Sequence, residues 1–531
     1  MPTLSTSLSC TSDATFDKKL EEGTGRTGVA AAVDSNLPAI SEDELDEGAK
    51  IAGEVAQQFT EEEMRAVRWQ IDKRVIPCLA LTYFSQFLDK QSVNYSSVMG
   101  LPIKGLHYNL VVMAFYIGFL IAEMPMSTLA QRFPLAKFLG CSIICWATAL
   151  ILHSSSANWG VFFLWRVLLG VFESIVSPIL IALIASFYRK NEQAKRIGSF
   201  YVMNGCAQIL GGLLAWGVTH YKGEEPAPWR IIYFILGGLA FIVGAVVLLF
   251  LPSSPATASF LTQREKQIAL ERVRANQSGT VSRVFKKEQM RDAFTDPKVY
   301  FLIAIMAMIS VPNAAITSFT SILIKSFGYT SQEALLMNMP CGAVAIVTTL
   351  SISYLADKKN WRMIPLILSV IPSVVGTAIL IAYSKNGAHG GHKGPLLVGI
   401  FLSQTFVSGI APIYSWSAAN IGGSTKKAIV NGLMLIAFGG GNLAGSQAFQ
   451  ATDAPRYLPG KIALFIALFL VIVGAVIMHL STASLNKKKA NEVARLVQEN
   501  GWSEEDLQRE KDKYAFADLT DRQNPFYQYL N

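Results

Sequence analysis

Charge is scarce in this sequence. Of 531 residues, 16% are Asp, Glu, Lys or Arg and 51% are hydrophobic, whereas a soluble domain carries about a quarter charged residues. With a mean hydropathy of +0.35, the composition argues against a soluble enzyme and against a nucleic-acid binder. Cysteine is also sparse: Cys10, Cys78, Cys141, Cys145, Cys206 and Cys341 form no CxxC pair, so neither a disulfide framework nor a zinc site is expected. There is no HExxH, no GxGD and no His-Asp acyltransferase spacing, which argues against a membrane-embedded enzyme. Residues 1–59 contain no apolar core of the kind a secretory signal needs, and read instead as a disordered acidic cytosolic tail.

Long apolar runs are abundant. A bilayer-crossing helix takes about 20 such residues, and segments of that kind fall at 75–99, 108–130, 134–153, 158–187, 196–219 and 229–251, then at 298–325, 331–356, 361–383, 394–420, 428–450 and 460–482. The pattern predicts an all-α membrane protein with twelve transmembrane helices in two six-helix bundles, 75–251 and 298–482. Leu129-Ala130-Gln131-Arg132 recurs as Leu355-Ala356-Asp357-Lys358, and Asn204-Gly205 as Asn431-Gly432, at nearly the same offset. Two anchors in step point to duplication of one six-helix unit, as in carriers whose halves rock about a central site.

Thr60 and Glu63 form a capping box ahead of Met64, Val67 and Ile71, so residues 60–74 are expected to be an amphipathic surface helix ended by Lys73 and Arg74. Residues 252–297 form a cytosolic linker in which Thr262 and Glu265 cap a short charged helix, and 483–531 a cytosolic tail to which no chemistry is assigned. Residues 1–73 hold 15 acidic against 7 basic side chains, so the basic surplus of this +8 chain travels with its spans. Basic residues concentrate in the loops, linker and tail that share a side with the N-terminus, which places both termini in the cytosol.

The informative positions are charges at bilayer depth, each costing about 2.5–3.5 kcal/mol to insert. Arg166 and Glu173 in the fourth span are seven residues apart, hence within about 20° of one helix face and about 10.5 Å along the axis. That separation is too long for a direct ion pair and leaves room for something between or beside them, with Gly170 reading as a gap on the same stripe. Asp89 and Lys90 interrupt the first span after about 14 apolar residues, so that span must continue past them. A proton-coupled carrier needs a carboxyl that alternates between neutral and ionised, a role suited to Glu173 and Asp89. An anionic substrate needs fixed positive charge, which Arg166 supplies as a bidentate fork.

Asn204, Gln208, Asn313, Asn338, Gln404 and Tyr414 are candidates to line a substrate cavity, and interhelical hydrogen bonding explains them equally well. Glu123, ahead of Pro125, fits a structural or gating role. Gly439, Gly440, Gly441 and Gly445 lie in an apolar span without GK[ST], so close helix packing is expected in place of a phosphate loop. His389 and His392 have no third ligand nearby, and no metal is expected.

The stretches FLDKQSVNYSSVMGL, FYIGFLIAEMPMSTLAQRFPLAKFLG, WRVLLGVFESIVSPILIALIASFYRKNEQAKRIGSFYVMNGCAQILGG and DLTDRQNPFYQYL resemble the fungal allantoate permease family, part of the anion:cation symporter group of the major facilitator superfamily. The resemblance spans residues 60 to 527 and implies the major facilitator fold and carboxylate substrates moved with protons. The group's first-span acidic and basic pair and fourth-span RxxxGxxE fall on Asp89, Lys90, Arg166 and Glu173. Lys90 keeps charge without the planar fork found in bacterial relatives. LADKKNWR keeps the inner-loop motif of the superfamily, placing gating roles on Asp357 and Arg362, whereas LAQRFPLAKF around Arg132 departs from it. The implied protein is a monomeric plasma-membrane symporter without cofactor or nucleic-acid partner, taking up a small organic anion with protons. A vacuolar address, an exporter of a specialised metabolite and a low-flux nutrient sensor are the alternatives.

Overall fold

The computed structural model describes residues 59–156, 158–223, 225–277, 286–359, 361–384, 393–515 and 519–530. The acidic segment 1–58, the His389/His392 loop and the side chain of Asp357 lie outside the described residues. What is described is helical. The first half comprises α1 (Glu61–Val98), α2 (Leu106–Ala130), α3 (Leu135–His153), α4 (Trp159–Phe187), α5 (Arg196–Val218) and α6 (Pro228–Phe250). The linker carries α7 (Gln263–Gln277) and α8 (Lys287–Thr295). The second half comprises α9 (Pro297–Ser326), α10 (Ser331–Ala356), α11 (Met363–Ser384), α12 (Lys393–Asn420), α13 (Ser424–Gly445) and α14 (Leu458–Asn500), and α15 (Glu504–Ala515) follows. Eleven of these are long and apolar enough to cross a bilayer; α1, which carries Asp89 and Lys90 among further polar residues, is not among the eleven.

Two expectations change. The helix capped by Thr60 does not end at Lys73 and Arg74 but continues through Pro77 to Val98, and its Val67 and Ile71 are buried within the protein rather than laid on a lipid surface. The last span likewise runs on to Asn500. In both places the charged stretch adds no helix breaker, so the backbone ladder continues.

Glycines set the closest packing. A Cβ at Gly118 would strike the Val167 carbonyl, and one at Gly170 the Phe115 carbonyl, so α2 and α4 touch backbone to backbone. The expected gap at Gly170 is therefore filled by α2. Gly441 and Gly445 press on the Ala307 and Val311 carbonyls of α9 in the same way, the packing role expected of that cluster. Within α4 the helix is interrupted at Ser174 and Ile175, where Pro178 cannot donate to the Ser174 carbonyl. Glu173 ends the first segment.

The linker is divided between the halves. Arg272 of α7 donates to Glu192 Oε2 at 2.8 Å and Gln70 to Glu265 at 2.7 Å, tying α7 to the first half. Asp292 of α8 accepts from Lys426 at 2.9 Å, tying α8 to the second. At the end remote from the linker the halves are joined directly. Tyr108 Oη donates to the Ser318 carbonyl at 2.7 Å, the Ser321 amide to Asn94 Oδ1 at 2.9 Å, and Asn109 Nδ2 to the Phe449 carbonyl at 2.9 Å. The structure is thus closed at its far end.

The tail, assigned no chemistry from sequence, is docked. Asp521 is fully buried between Lys298 and Lys426, and Lys426 Nζ also lies 2.7 Å from Asp296. Tyr527 donates to the Ala419 carbonyl at 2.7 Å, and the Leu530 amide to Asn420 at 2.7 Å. The segment 519–530 therefore straps together the linker-side ends of α9, α12, α13 and α8.

Candidate functional site

Asp89, Lys90, Arg166 and Glu173 do come together, inside the first half between α1 and α4, within electrostatic range of one another. Asp89 and Glu173 are fully buried and Arg166 is 2% exposed, while Lys90 is half-buried with its ammonium 5.5 Å from the Phe115 ring centre. Despite the opposite charges, no ion pair joins these four residues.

Arg166 is held by neutral groups. Its Nη2 donates to Ser92 Oγ at 3.0 Å and to Tyr233 Oη at 3.4 Å. Its Nε has no partner, and neither oxygen of Asp89 nor of Glu173 has one. The indole N–H of Trp146 approaches Asp89 without completing a hydrogen bond. Gln86 reaches only the Glu173 backbone carbonyl, at 3.3 Å. A buried carboxyl with no acceptor role filled is tolerated at bilayer depth only as a neutral acid or beside a compensating cation. The arrangement can thus hold protons on α1 and α4 next to a guanidinium whose fork is not spent on either acid.

The other predicted residues divide. Asn204 of the first half and Tyr414 of the second are half-buried and both lie within range of Tyr83, whose ring meets that of Tyr201 edge-on at 5.2 Å. Glu123, 6% exposed with Oε1 unpartnered, lies in electrostatic range of Tyr414. Gln208 and Asn338 bond to each other across the halves at 2.8 Å, and Asn313 bonds to Asn442 at 2.7 Å. Gln404 is buried beside Cys341. Of the loop residues, Arg132 is exposed, and Arg362 donates to the Ala356 carbonyl at 2.7 Å. Sequence reasoning missed Ser92 and Tyr233, the two groups that hold Arg166, and the tyrosines Tyr83 and Tyr201. A hydroxyl in a span carries no signal until its neighbour is known.

Twelve spanning helices in two halves, closed against each other at one end and with buried charges at mid-helix, define a secondary transporter. Residues 79–446 match the Major Facilitator Superfamily model, and the chain belongs to that superfamily, among its fungal allantoate-permease-like members. It is 32% identical to the allantoate permease of Saccharomyces cerevisiae, over 92% of this chain and 90% of that one. It is 30% identical to the thiamine pathway transporter THI73 of the same yeast, over 90% and 89%. The xylose transporter XylE from E. coli, in a partially occluded inward open conformation, superposes with a TM-score of 0.58 at 13% identity, covering 76% of this chain and 96% of that one.

Proposed function

We propose that this transporter takes up a small organic anion together with protons, across the plasma membrane, with the linker and both termini on the cytosolic side. The observation that carries the reading is the state of the buried charges. Arg166 rests on two neutral hydroxyls beside two carboxyls that have no hydrogen-bond partner. A carboxylate substrate would supply the charge that the guanidinium lacks, and protons on Glu173 and Asp89 would keep the loaded site from accumulating negative charge. Release of the anion and of the protons on the cytosolic side would then return Arg166 and Lys90 to balancing the ionised acids. Access would alternate as the far-end contacts through Tyr108, Asn94 and Asn109 open and contacts at the linker end form. The allantoate and thiamine-pathway names of the relatives fit a nutrient role and leave the substrate to be found among small carboxylates.

The test is flux into proteoliposomes, with labelled allantoate as the probe and a panel of small carboxylates as competitors. An inward proton gradient should accelerate uptake in the native protein, Glu173→Gln should keep exchange while losing the response to the gradient, and Arg166→Ala should lose uptake. Flux by the native protein that ignores the gradient would overturn proton coupling, and full uptake by Arg166→Ala would overturn the anion site.

A further inference from the structure

The geometry points to Tyr233 and His153 as positioning residues that aim the Arg166 guanidinium. This inference rests on the reading of Arg166 as the anion-receiving group, but its test does not.

Arg166 has two anchors, and the chemistry of each is fixed. Ser92 Oγ donates its proton to the Asp89 carbonyl at 2.6 Å, so toward Arg166 it can only accept. Tyr233 Oη lies 3.4 Å from Arg166 Nη2 and 3.3 Å from Ser96 Oγ, and Ser96 Oγ in turn donates to the Val93 carbonyl at 3.1 Å. A guanidinium has no acceptor, so the phenol accepts from Arg166 and passes its own proton to Ser96. The chain Arg166 to Tyr233 to Ser96 to Val93 therefore has a single direction, ending on the backbone of α1.

The phenol is aimed by its ring. Tyr233 lies flat on His153, centroids 5.2 Å apart and planes at 8°, and both rings meet Phe162 edge-on, at 5.6 and 4.6 Å. His153 is fully buried, with Nδ1 2.7 Å from the Ala149 carbonyl and Nε2 without a partner. A carbonyl only accepts, so Nδ1 carries the proton, while the ring plane on which Tyr233 rests is set by its contacts with Phe162 and Tyr233. The flat ring at this position sets the direction of the Tyr233 hydroxyl, a role that needs the ring and not its nitrogens.

The experiment reads Arg166 directly. Purified full-length protein, without substrate, is treated with phenylglyoxal, and modification of Arg166 is followed by peptide mass spectrometry relative to Arg132 and Arg362. Tyr233→Phe removes one hydrogen bond to a charged donor, so Arg166 should react about tenfold faster while the reference arginines do not change. His153→Leu removes the stacking plane and should do the same. His153→Phe keeps the plane and should stay near the native rate, a rescue that a purely space-filling role would not distinguish from Leu. Unchanged Arg166 reactivity in Tyr233→Phe, or equal acceleration in His153→Phe and His153→Leu, would overturn the assignment. A general rise at all three arginines reports misfolding of that variant, and Tyr233→Phe, which alters one oxygen, then decides. Where allantoate is transported, the same variants should raise KM more than they lower kcat. Absence of any anion transport would refute the reading of Arg166 while leaving the chemical result to stand or fall alone.

Discussion

Arg166 and Glu173 share one face of α4 and do not pair, because the guanidinium is drawn to Ser92 and Tyr233 and the carboxyl sits at the helix break before Ser174. The turn between them is occupied by the backbone of α2 at Gly170. Gly170→Ala should accordingly force α2 and α4 apart, since the obstacle is a carbonyl and not a flexible side chain. The expected cost is about 1–3 kcal/mol, read as a lower melting temperature of the purified protein and as lost uptake. Gly198→Ala, where a Cβ meets nothing, is the control.

Closure at the far end should be weakened by Tyr108→Phe, which deletes the bond to the Ser318 carbonyl and leaves the ring contact with Phe319 at 5.3 Å. One hydrogen bond is worth about 1 kcal/mol net. Spin labels placed on the far ends of α1 and α9 should show the separated population rising about fivefold. An unchanged distance distribution would mean that this bond does not hold the gate.

The twelve spans, the division into halves and the charged quartet were legible in sequence because each rests on a strong local signal: an apolar run, a repeated dipeptide, an ion where lipid belongs. The cover over Gly170 was not legible, because helical periodicity fixes which face a residue occupies and not which helix covers that face. Lys73 and Arg74 do not end the helix, because neither disfavours helix and Val67 and Ile71 are covered by the protein itself. Tyr233 and His153 lie on α6 and α3, far in sequence from Arg166, and their partnership exists only in the packed bundle. The docking of the tail was not legible because the partners of its end lie far away in sequence, as Lys298 does for Asp521 and Asp292 for Arg522.

The tie between α7 and the first half should respond to Glu192→Gln. Glu192 accepts from Arg272 at 2.8 Å and Arg68 at 3.1 Å; burial raises its pKa, but these arginines outweigh that and hold it below the usual carboxylate range. Arg272 is 2% exposed, so loss of its counter-charge leaves a buried cation. Breaking such a pair costs about 3–5 kcal/mol, less here because Glu192 retains some exposure. Limited proteolysis within the linker should become faster in the variant while cleavage after α15 is unaffected.

Asp521 makes the strap acid-sensitive in a defined direction. Burial alone would raise its pKa, but Lys298 and Lys426 prevail and hold it below the ordinary carboxylate value, which is about 3.9. A folded-state pKa depressed in this way gives stability that is complete above about pH 4 and is lost as pH falls through the lower, folded value. The native protein should therefore show a level melting temperature through neutral pH and a fall below about pH 4. Asp521→Asn should melt earlier at pH 7, by the equivalent of about 3–5 kcal/mol if the pair is broken outright, and should show a shallower acid fall because the titrating group is gone. Lys426 still faces Asp292 and Asp296 in that variant, so α8 should stay docked. A chain ending before residue 519 should behave like Asp521→Asn in the same titration; a truncated chain with native stability at pH 7 would show that the strap adds nothing to the fold.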